Sequence, residues 1–487
     1  MATDHLSILF VASEVEGLIK SGGLADVAKA LPQALHSLEH DVRIALPGYR
    51  KIQALQEAPV ALQTKLEHWP HTPYQVRELK VGDVSVYAIE CDQYFARDEM
   101  YSEYNQAYAD NGERFAFFSA ACLDMLPKLQ FQPNIIHAND WHTGFVPYLL
   151  KHRYAEFPFF AQTRSVISIH NAVFKGVFSY GELPNLAEMQ GHYAPDAAVS
   201  PTHITMLKAG VMTADKINAV SPTYAEELKT ELGSHGMAKE FRAREHDLVG
   251  ILNGCDYSDW NPANDVFLPV SYTADATSML AGKKACKQAL QQRVNLPEKE
   301  VAVYGMVCRL TNQKGVHYLL PILERFLQLD AQLVIVGTGD PILATQLAEI
   351  AARHSDKFAF VEAYSNELAH FVEAGADFFL MPSEFEPCGL NQIYSMAYGT
   401  LPIVRAVGGL KDSVVDYDQD PENATGFAFV HPEPIELLSV MQRALLFYLQ
   451  QREEMVQVQL FAMQKQFCWR QAAQQYLALY RSALHET

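Results

Sequence analysis

The feature that most constrains this 487-residue chain is a rhythm of short apolar runs and amphipathic runs, and the rhythm occurs twice. "LSILFVA" (6–12) reads as a strand, "LADVAKALPQALHSL" (24–38) has helical spacing, and "VRIAL" (42–46) is a strand again. "NIIHA" (134–138), "SVISIH" (165–170) and "KINAV" (216–220) continue as buried strands between helical segments. Such alternation predicts a parallel sheet covered by helices. The pattern restarts with "VAVYGMV" (301–307), "HYLLPILERFLQL" (317–329), "QLVIVG" (332–337) and "PILATQLAEIAARH" (341–354). "KFAFVEA", "DFFLMPS" and "LPIVRAV" add three more strands, and the tail from about 433 is helical. The fold class is therefore α/β, with two domains, each a parallel sheet covered by helices. Residues 47–110, rich in Tyr, Gln and charge, break the rhythm and are expected to form an insertion or mobile loop. The stretch 251–278, rich in Asn, Asp, Pro and Ser, reads as a linker. The expected organisation is an N-terminal domain (1–250), a linker (251–278), a C-terminal domain (279–465) and a terminal segment (466–487).

Composition removes several classes of function. A formal net charge of −19 argues against nucleic acid or an anionic membrane as a partner, because both call for basic patches. It leaves room for a small anion in a local cationic pocket. No apolar run reaches the ~18 residues of a membrane span. The first strand follows Asp4 and has no basic segment ahead of it, so it reads as buried sheet and not as a signal peptide. The cytoplasm is the default compartment. Seven scattered cysteines without a C-x-x-C pair predict neither a zinc site nor a disulfide framework.

In open α/β sheets ligands sit beyond the carboxyl ends of the strands, and several charged motifs fall there. "IKSGGLADV" (19–27) places Lys20 before Gly22 and Gly23 at the start of a helix. Helix N-termini offer unpaired N–H groups to phosphate, but the lysine precedes the glycines, so this is not the P-loop order. The alternative is a tight turn with a solvated lysine. "VGTGD" after the strand 332–337 is half a dinucleotide fingerprint, with Ile342 where the third small residue belongs; a plain turn explains it equally. "CRLTNQKG" (308–315) puts Arg309 and Lys314 just past a strand, where two cations suit a diphosphate or simply line a solvated loop. Glu386, at a strand-to-helix junction, either accepts hydrogen bonds from hydroxyls and handles protons or caps the helix; Cys388 reads as a small buried hydrophobe. "GGLKDSV" (408–414) echoes the first Gly-Gly motif. "HANDWHTG" (137–144) and "SIHNAVFKG" (168–176) bring Asp140, His142 and His170 to consecutive strand ends, without the spacing of a metal site.

Taken in order, these stretches resemble those of the bacterial glycogen synthase and plant starch synthase family. The match runs through "KSGGLADV" (20–27), "DWHTG" (140–144), "IHN" (169–171), "MLKAGVMTADKINAVSPTYA" (206–225) and "GILNGCDYSDWNP" (250–262). It continues through "CRLTNQKG", "FEPCGLNQIYSMAYGTLPIVR" (385–405), "GGLKDSV" and "WRQAAQQYLALY" (469–480). The resemblance implies the GT-B arrangement: two Rossmann-like domains with parallel sheets facing across a deep cleft, and a terminal helix returning to the first. It implies a retaining glucosyltransferase that moves glucose from ADP-glucose to the non-reducing end of an α-1,4-glucan, with no cofactor and no essential metal.

Carried over by motif, Lys20 and the Gly22-Gly23 turn, with Asp26, approach the donor diphosphate and sugar. Arg309 and Lys314 neutralise the leaving phosphates, and Glu386 holds the donor sugar. Gly408 and Gly409 supply backbone N–H groups. Asp140 and His170 lie by the anomeric centre, and Tyr364 meets the nucleotide base. Asn253, Cys388, Gly389 and Leu390 complete the substrate contacts. The chain departs from the family pattern in having Glu384 where arginine is usual before F-E-P-C-G-L and Phe371 where arginine is common. Related retaining transferases often carry a second glutamate eight residues after the first; that position is Tyr394 here.

Overall fold

The computed structural model describes residues 5–66, 69, 72–104, 106–186, 194–363 and 365–485. The chain divides into two compact units, one of Met1–Asn253 with Trp469–Thr487, the other of Gly254–Cys468. The change of unit at Asn253 falls at the start of the Asn/Asp/Pro-rich stretch. Much of the rest of that stretch is built into the second unit, where Tyr272 and Asp265 are buried.

The first unit begins with β1 (Ser7–Val11), whose apolar residues are buried, followed by helix α1 (Gly23–His36). Leu24, Val27, Ala28, Leu31 and Leu35 recur at helical spacing and form the buried face of α1. β2 (Asp41–Pro47) lies beside β1. Residues 47–110, expected as an insertion or loop, instead extend the sheet through β3 (Val60–Lys65), β4 (Pro73–Val81) and β5 (Val84–Glu90). Their polarity grows toward the sheet edge: β5 has no exposed residue, β4 has one wet side, with Tyr74, Val76, Leu79 and Val81 buried while Lys80 is exposed, and β3 has no buried residue. A small hairpin of β6 (Ser102–Glu103) and β7 (Gln106–Ala107) follows. Then come β8 (Ile135–Asn139), β9 (Arg164–Ile169), a second small pair of β10 (Val177–Ser179) and β11 (His203–Thr205), β12 (Lys216–Ala219) and β13 (Leu248–Gly250). The main sheet runs β13-β12-β9-β8-β1-β2-β5-β4-β3, parallel except at β4 and β3. Helix Trp469–His485 closes this unit, fastened by Tyr480 to His137 (2.8 Å) and by Tyr476 to the Asn218 amide (2.8 Å).

The second unit is a six-stranded, all-parallel sheet of β14 (Ala302–Val307), β15 (Ala331–Val336), β16 (Phe358–Val361), β17 (Phe378–Met381), β18 (Leu401–Arg405) and β19 (Phe427–Phe429). Its order is β16-β15-β14-β17-β18-β19. Its near-continuous apolar strands pack under helices such as Val316–Phe326 and Pro434–Gln450. Cys255 and Cys468, at the two ends of this unit, are partners in an isolated parallel bridge. All seven cysteines are free thiols. No helix among the described residues is long and apolar enough to cross a membrane.

Among the strands paired in parallel, each sheet reverses its order once, between β1 and β8 in the first unit and between β14 and β17 in the second. The crevices outside the carboxyl ends at such reversals are where α/β sheets hold ligands.

Candidate active site

In the first unit the loop from Ala12 to Gly22 leaves β1 at the reversal and turns back through a Val15–Ile19 bridge into α1. Lys20 pairs with Glu16 (2.8 Å) and Asp26 (2.7 Å). Burial works to lower its pKa, but the hydrogen bonds and charges of the two carboxylates outweigh burial and hold it above an ordinary lysine. Burial raises the Asp26 carboxyl, with Lys20 pulling it back. Gly22 is extended, and a Cβ at either Gly22 or Gly23 would meet nothing within 4 Å. These glycines answer no packing demand of the fold; they leave bare backbone beside open space.

Asp140 follows β8 with φ 55° and ψ −173°, a region nearly reserved for glycine. It is fixed there by accepting hydrogen bonds from the backbone N–H of His170 (2.7 Å) and Asn171 (3.3 Å), both just past β9. Burial pushes its carboxyl up to about 7, the two N–H bonds oppose this, and the charge of Glu14 adds to it. The Nε2 of His170 lies 2.9 Å from Oδ1 of Asn139, whose amide nitrogen donates to the Val11 carbonyl (3.0 Å). That network assigns the His170 proton to Nε2, and burial lowers its pKa to about 3, so the ring is neutral. His142 is taken up differently: it stacks on Trp141 (4.0 Å) and packs against Tyr101 and Phe115, a structural role. Asn253 is buried, and its Oδ1 has no hydrogen-bond partner among the described residues.

In the second unit Arg309 lies just past β14, exposed and without an ion pair among the described residues. Lys314, at the end of the same loop, is 2.6 Å from Glu386, which also accepts from Ser383 Oγ (3.0 Å). Glu386 is buried beyond β17, the strand next to β14. Arg405 clamps its loop by donating to the carbonyls of Ser383 (2.7 Å) and Glu384. The Glu384 carboxylate turns toward His317, 3.8 Å away. Cys388 is buried, Gly389 takes φ 71°, and Leu390 is the N-cap of helix Asn391–Ala397. Tyr394 stacks on Trp260 (4.1 Å), whose other face covers His370 (3.9 Å).

The second Gly-Gly motif corrects an expectation. Gly409 does not present its N–H outward: it donates to the carbonyls of Glu386 (3.1 Å) and Pro387 (3.2 Å). A Cβ on Gly408 would stand 2.0 Å from the Glu386 carbonyl oxygen, and one on Gly409 2.2 Å from that of Cys388. This pair is glycine so that two backbones can touch, and its role is to seat Glu386. Tyr364, expected against a nucleotide base, lies outside the described residues.

Two participants escaped the sequence reading. Glu14 and Asn139 bind the loops that carry Gly22 and His170, and the only trace of either is its place at the end of an apolar run. A cavity of about 650 Å³ lined by Tyr154, Arg164, Asp215 and Arg244 includes none of these residues. It opens where β9 and β12 begin, the opposite end of the strands.

Comparison with known proteins follows the same division. Residues 7–243 match the starch synthase catalytic domain family and residues 287–457 match glycosyl transferases group 1. The chain is 72% identical over 485 residues to the glycogen synthase of Vibrio parahaemolyticus serotype O3:K6, covering 100% of both chains. It is 71% identical over 483 residues to that of Vibrio atlanticus, covering 99% of this chain and 100% of the other. Among solved structures, the catalytic domain of starch synthase IV from Arabidopsis thaliana, bound to ADP and acarbose, superposes with a TM-score of 0.88. It shares 30% identity, with 99% of each chain covered.

Proposed function

From the premise that this chain belongs to the glycogen synthase and starch synthase family and is a glucosyltransferase of glycogen synthesis, we propose that it transfers glucose from ADP-glucose to the non-reducing end of an α-1,4-glucan, with retention at the anomeric carbon. The observation that carries the donor side is the cluster at the β14/β17 reversal. There an unpaired Arg309 stands in the same loop as Lys314, and Lys314 is held by Glu386.

Breaking the bond from glucose to ADP places negative charge on the departing diphosphate. Arg309 can fork two oxygens, and Lys314 adds a point charge. Fixed cations of this kind stabilise a transition state because they need no reorganisation. We assign the leaving-group charge to these two side chains and to Lys20, with no step given to a metal ion. Glu386, its second role being to anchor Lys314, accepts from hydroxyls of the donor sugar.

Asp140 and the neutral His170 are assigned to the sugar being transferred. His170, protonated at Nε2 and bonded to Asn139, leaves Nδ1 as an acceptor. Asn253 brings a buried amide oxygen that is still unpartnered, as a group awaiting a hydroxyl would be. The acceptor 4-hydroxyl attacks from the face the diphosphate leaves and gives its proton to the departing phosphate oxygen, and no protein nucleophile is required. The relative bound to ADP and acarbose supports a nucleotide and a saccharide as the two ligands. The seven free thiols suit a reducing compartment, and the cytoplasm is the one we infer.

The test is product stereochemistry in the presence of a chelator. With ADP-glucose and maltoheptaose, proton NMR should show a new linkage with the small anomeric coupling of an α-glucoside, formed at the same rate in excess EDTA. A β-linked product would overturn retention, and a rate abolished by EDTA would overturn the metal-free assignment.

A further inference from the structure

We propose that Glu14 is a positioning residue of this active site: it holds the loop that carries Lys20, and its charge sets the environment in which Asp140 works. The inference rests on the glucosyl-transfer reading above.

Glu14 lies three residues beyond β1 and is 4% exposed. Its carboxylate accepts from the backbone N–H of Ser21 (2.5 Å) and of Gly22 (3.0 Å), and from the Ser21 hydroxyl (3.1 Å). The Tyr101 hydroxyl, itself bonded to Ser13 Oγ (2.8 Å), closes the ring at 3.4 Å. Two successive N–H groups gripping one anion form the kind of nest that elsewhere binds phosphate. Here the chain's own carboxylate fills it. The Gly22 N–H is therefore committed within the loop, and Lys20, itself held by Glu16 and Asp26, is the loop's cation for an external anion.

A turn could be tied by an amide or a carbonyl at less cost. A buried carboxylate is expensive unless it is paired, and Glu14 has no cation partner among the described residues. The groups facing it are Ser21, Gly22, Tyr101, the buried Tyr49, whose hydroxyl also lies in the field of the Arg114 guanidinium, and Asp140, which leaves β8 beside it because Val11 of β1 pairs with Ala138 of β8. Asp140, in turn, faces the N–H groups of His170 and Asn171, the neutral His170 ring, Tyr224 and Glu14. Burial raises the Glu14 carboxyl and the hydrogen bonds from Ser21 and Gly22 pull it back, so Glu14, and Asp140 in its ionised form, bring negative charge to this site with no ion pair to either among the described residues. A glucosyl group gains positive character as its leaving group departs, so negative charge on the Asp140 side of the sugar favours the transition state, while the growing charge of the diphosphate falls to the cations. Burial and the field of Glu14 both raise the Asp140 carboxyl.

Glu14→Gln keeps an acceptor oxygen for the loop and removes the charge. It should lower kcat by about tenfold or more while KM for ADP-glucose changes less than about threefold, the split expected when an interaction made mainly in the transition state is lost. The limb of the pH–rate profile set by Asp140 should move to lower pH. A kcat and a pH profile equal to those of the parent would overturn the charge role. Glu14→Asp keeps the charge on a shorter arm and carries the loop role, also in the event that Glu14→Gln does not fold. It should raise KM for ADP-glucose with the pH limb in place, and a parent-like KM would overturn that role. Failure of the parent protein to use ADP-glucose at all would instead sink the functional reading on which the inference stands.

Discussion

Asp140 is held in a conformation that costs about 1–3 kcal/mol for a residue with a side chain. The hydrogen bonds from His170 and Asn171 keep it there. Its carboxyl is also raised to about 7, chiefly by burial. Between about pH 4, the ordinary range of an aspartate, and that value, the folded protein binds a proton that the unfolded chain has released. Stability from this group is therefore present below the ordinary pKa and lost as pH rises through the raised one. Asp140→Asn removes the titration, so its melting temperature relative to the parent should rise steadily between pH 4 and pH 7. A difference that stays flat across that range would contradict the raised pKa. On the donor side, Arg309→Ala or Lys314→Ala should cut kcat/KM by at least about 10²-fold, the scale of losing one transition-state charge stabiliser. Near-parent kinetics in either variant would remove that residue from the phosphate assignment. Both cations were legible in the sequence because each stands just past an apolar run that ends in a turn. Glu14 and Asn139 were not, because their worth lies in which loops they tie, and that depends on how the chain folds back.

At the level of elements, the two Gly-Gly motifs show how similar letters serve different physics. Gly22 is extended with open space before it, whereas Gly408 sits at φ 43° with a carbonyl oxygen where its Cβ would be. Gly22→Ala should leave the melting temperature unchanged or slightly raised, since removing a glycine at a compatible backbone is worth about 0.4–1 kcal/mol, yet it should lower activity by crowding the donor. Gly408→Ala should lower the melting temperature and activity together. Equal thermal effects from the two substitutions would contradict this division. Parallel strands such as β9 and β15 were readable because both their faces are buried. The strands β3 to β5 were not, because β4 has one wet side and the edge strand β3 buries nothing, which mixes Tyr, Gln and charge into the pattern, and nothing in residues 47–110 alone says that β5 pairs with β2.

Across the whole molecule, two doubly wound sheets each reverse the order of their parallel-paired strands once, and nearly every residue assigned to chemistry lies in a loop beyond the carboxyl ends at or next to those reversals. Lys20, Asp140, His170 and Asn253 belong to the N-terminal unit, and Arg309, Lys314 and Glu386 belong to the second. The position of the reversals could be read only after the strands were ordered, since sequence yields strands but not their neighbours. The most direct test of the account is the fate of labelled glucose. The protein is offered ADP-glucose or UDP-glucose labelled in the sugar, with glycogen in one series and glucose 1-phosphate in the other. The account predicts label in precipitable polymer from ADP-glucose with glycogen. Label that enters polymer only from UDP-glucose, or that enters only a small sugar, would contradict it.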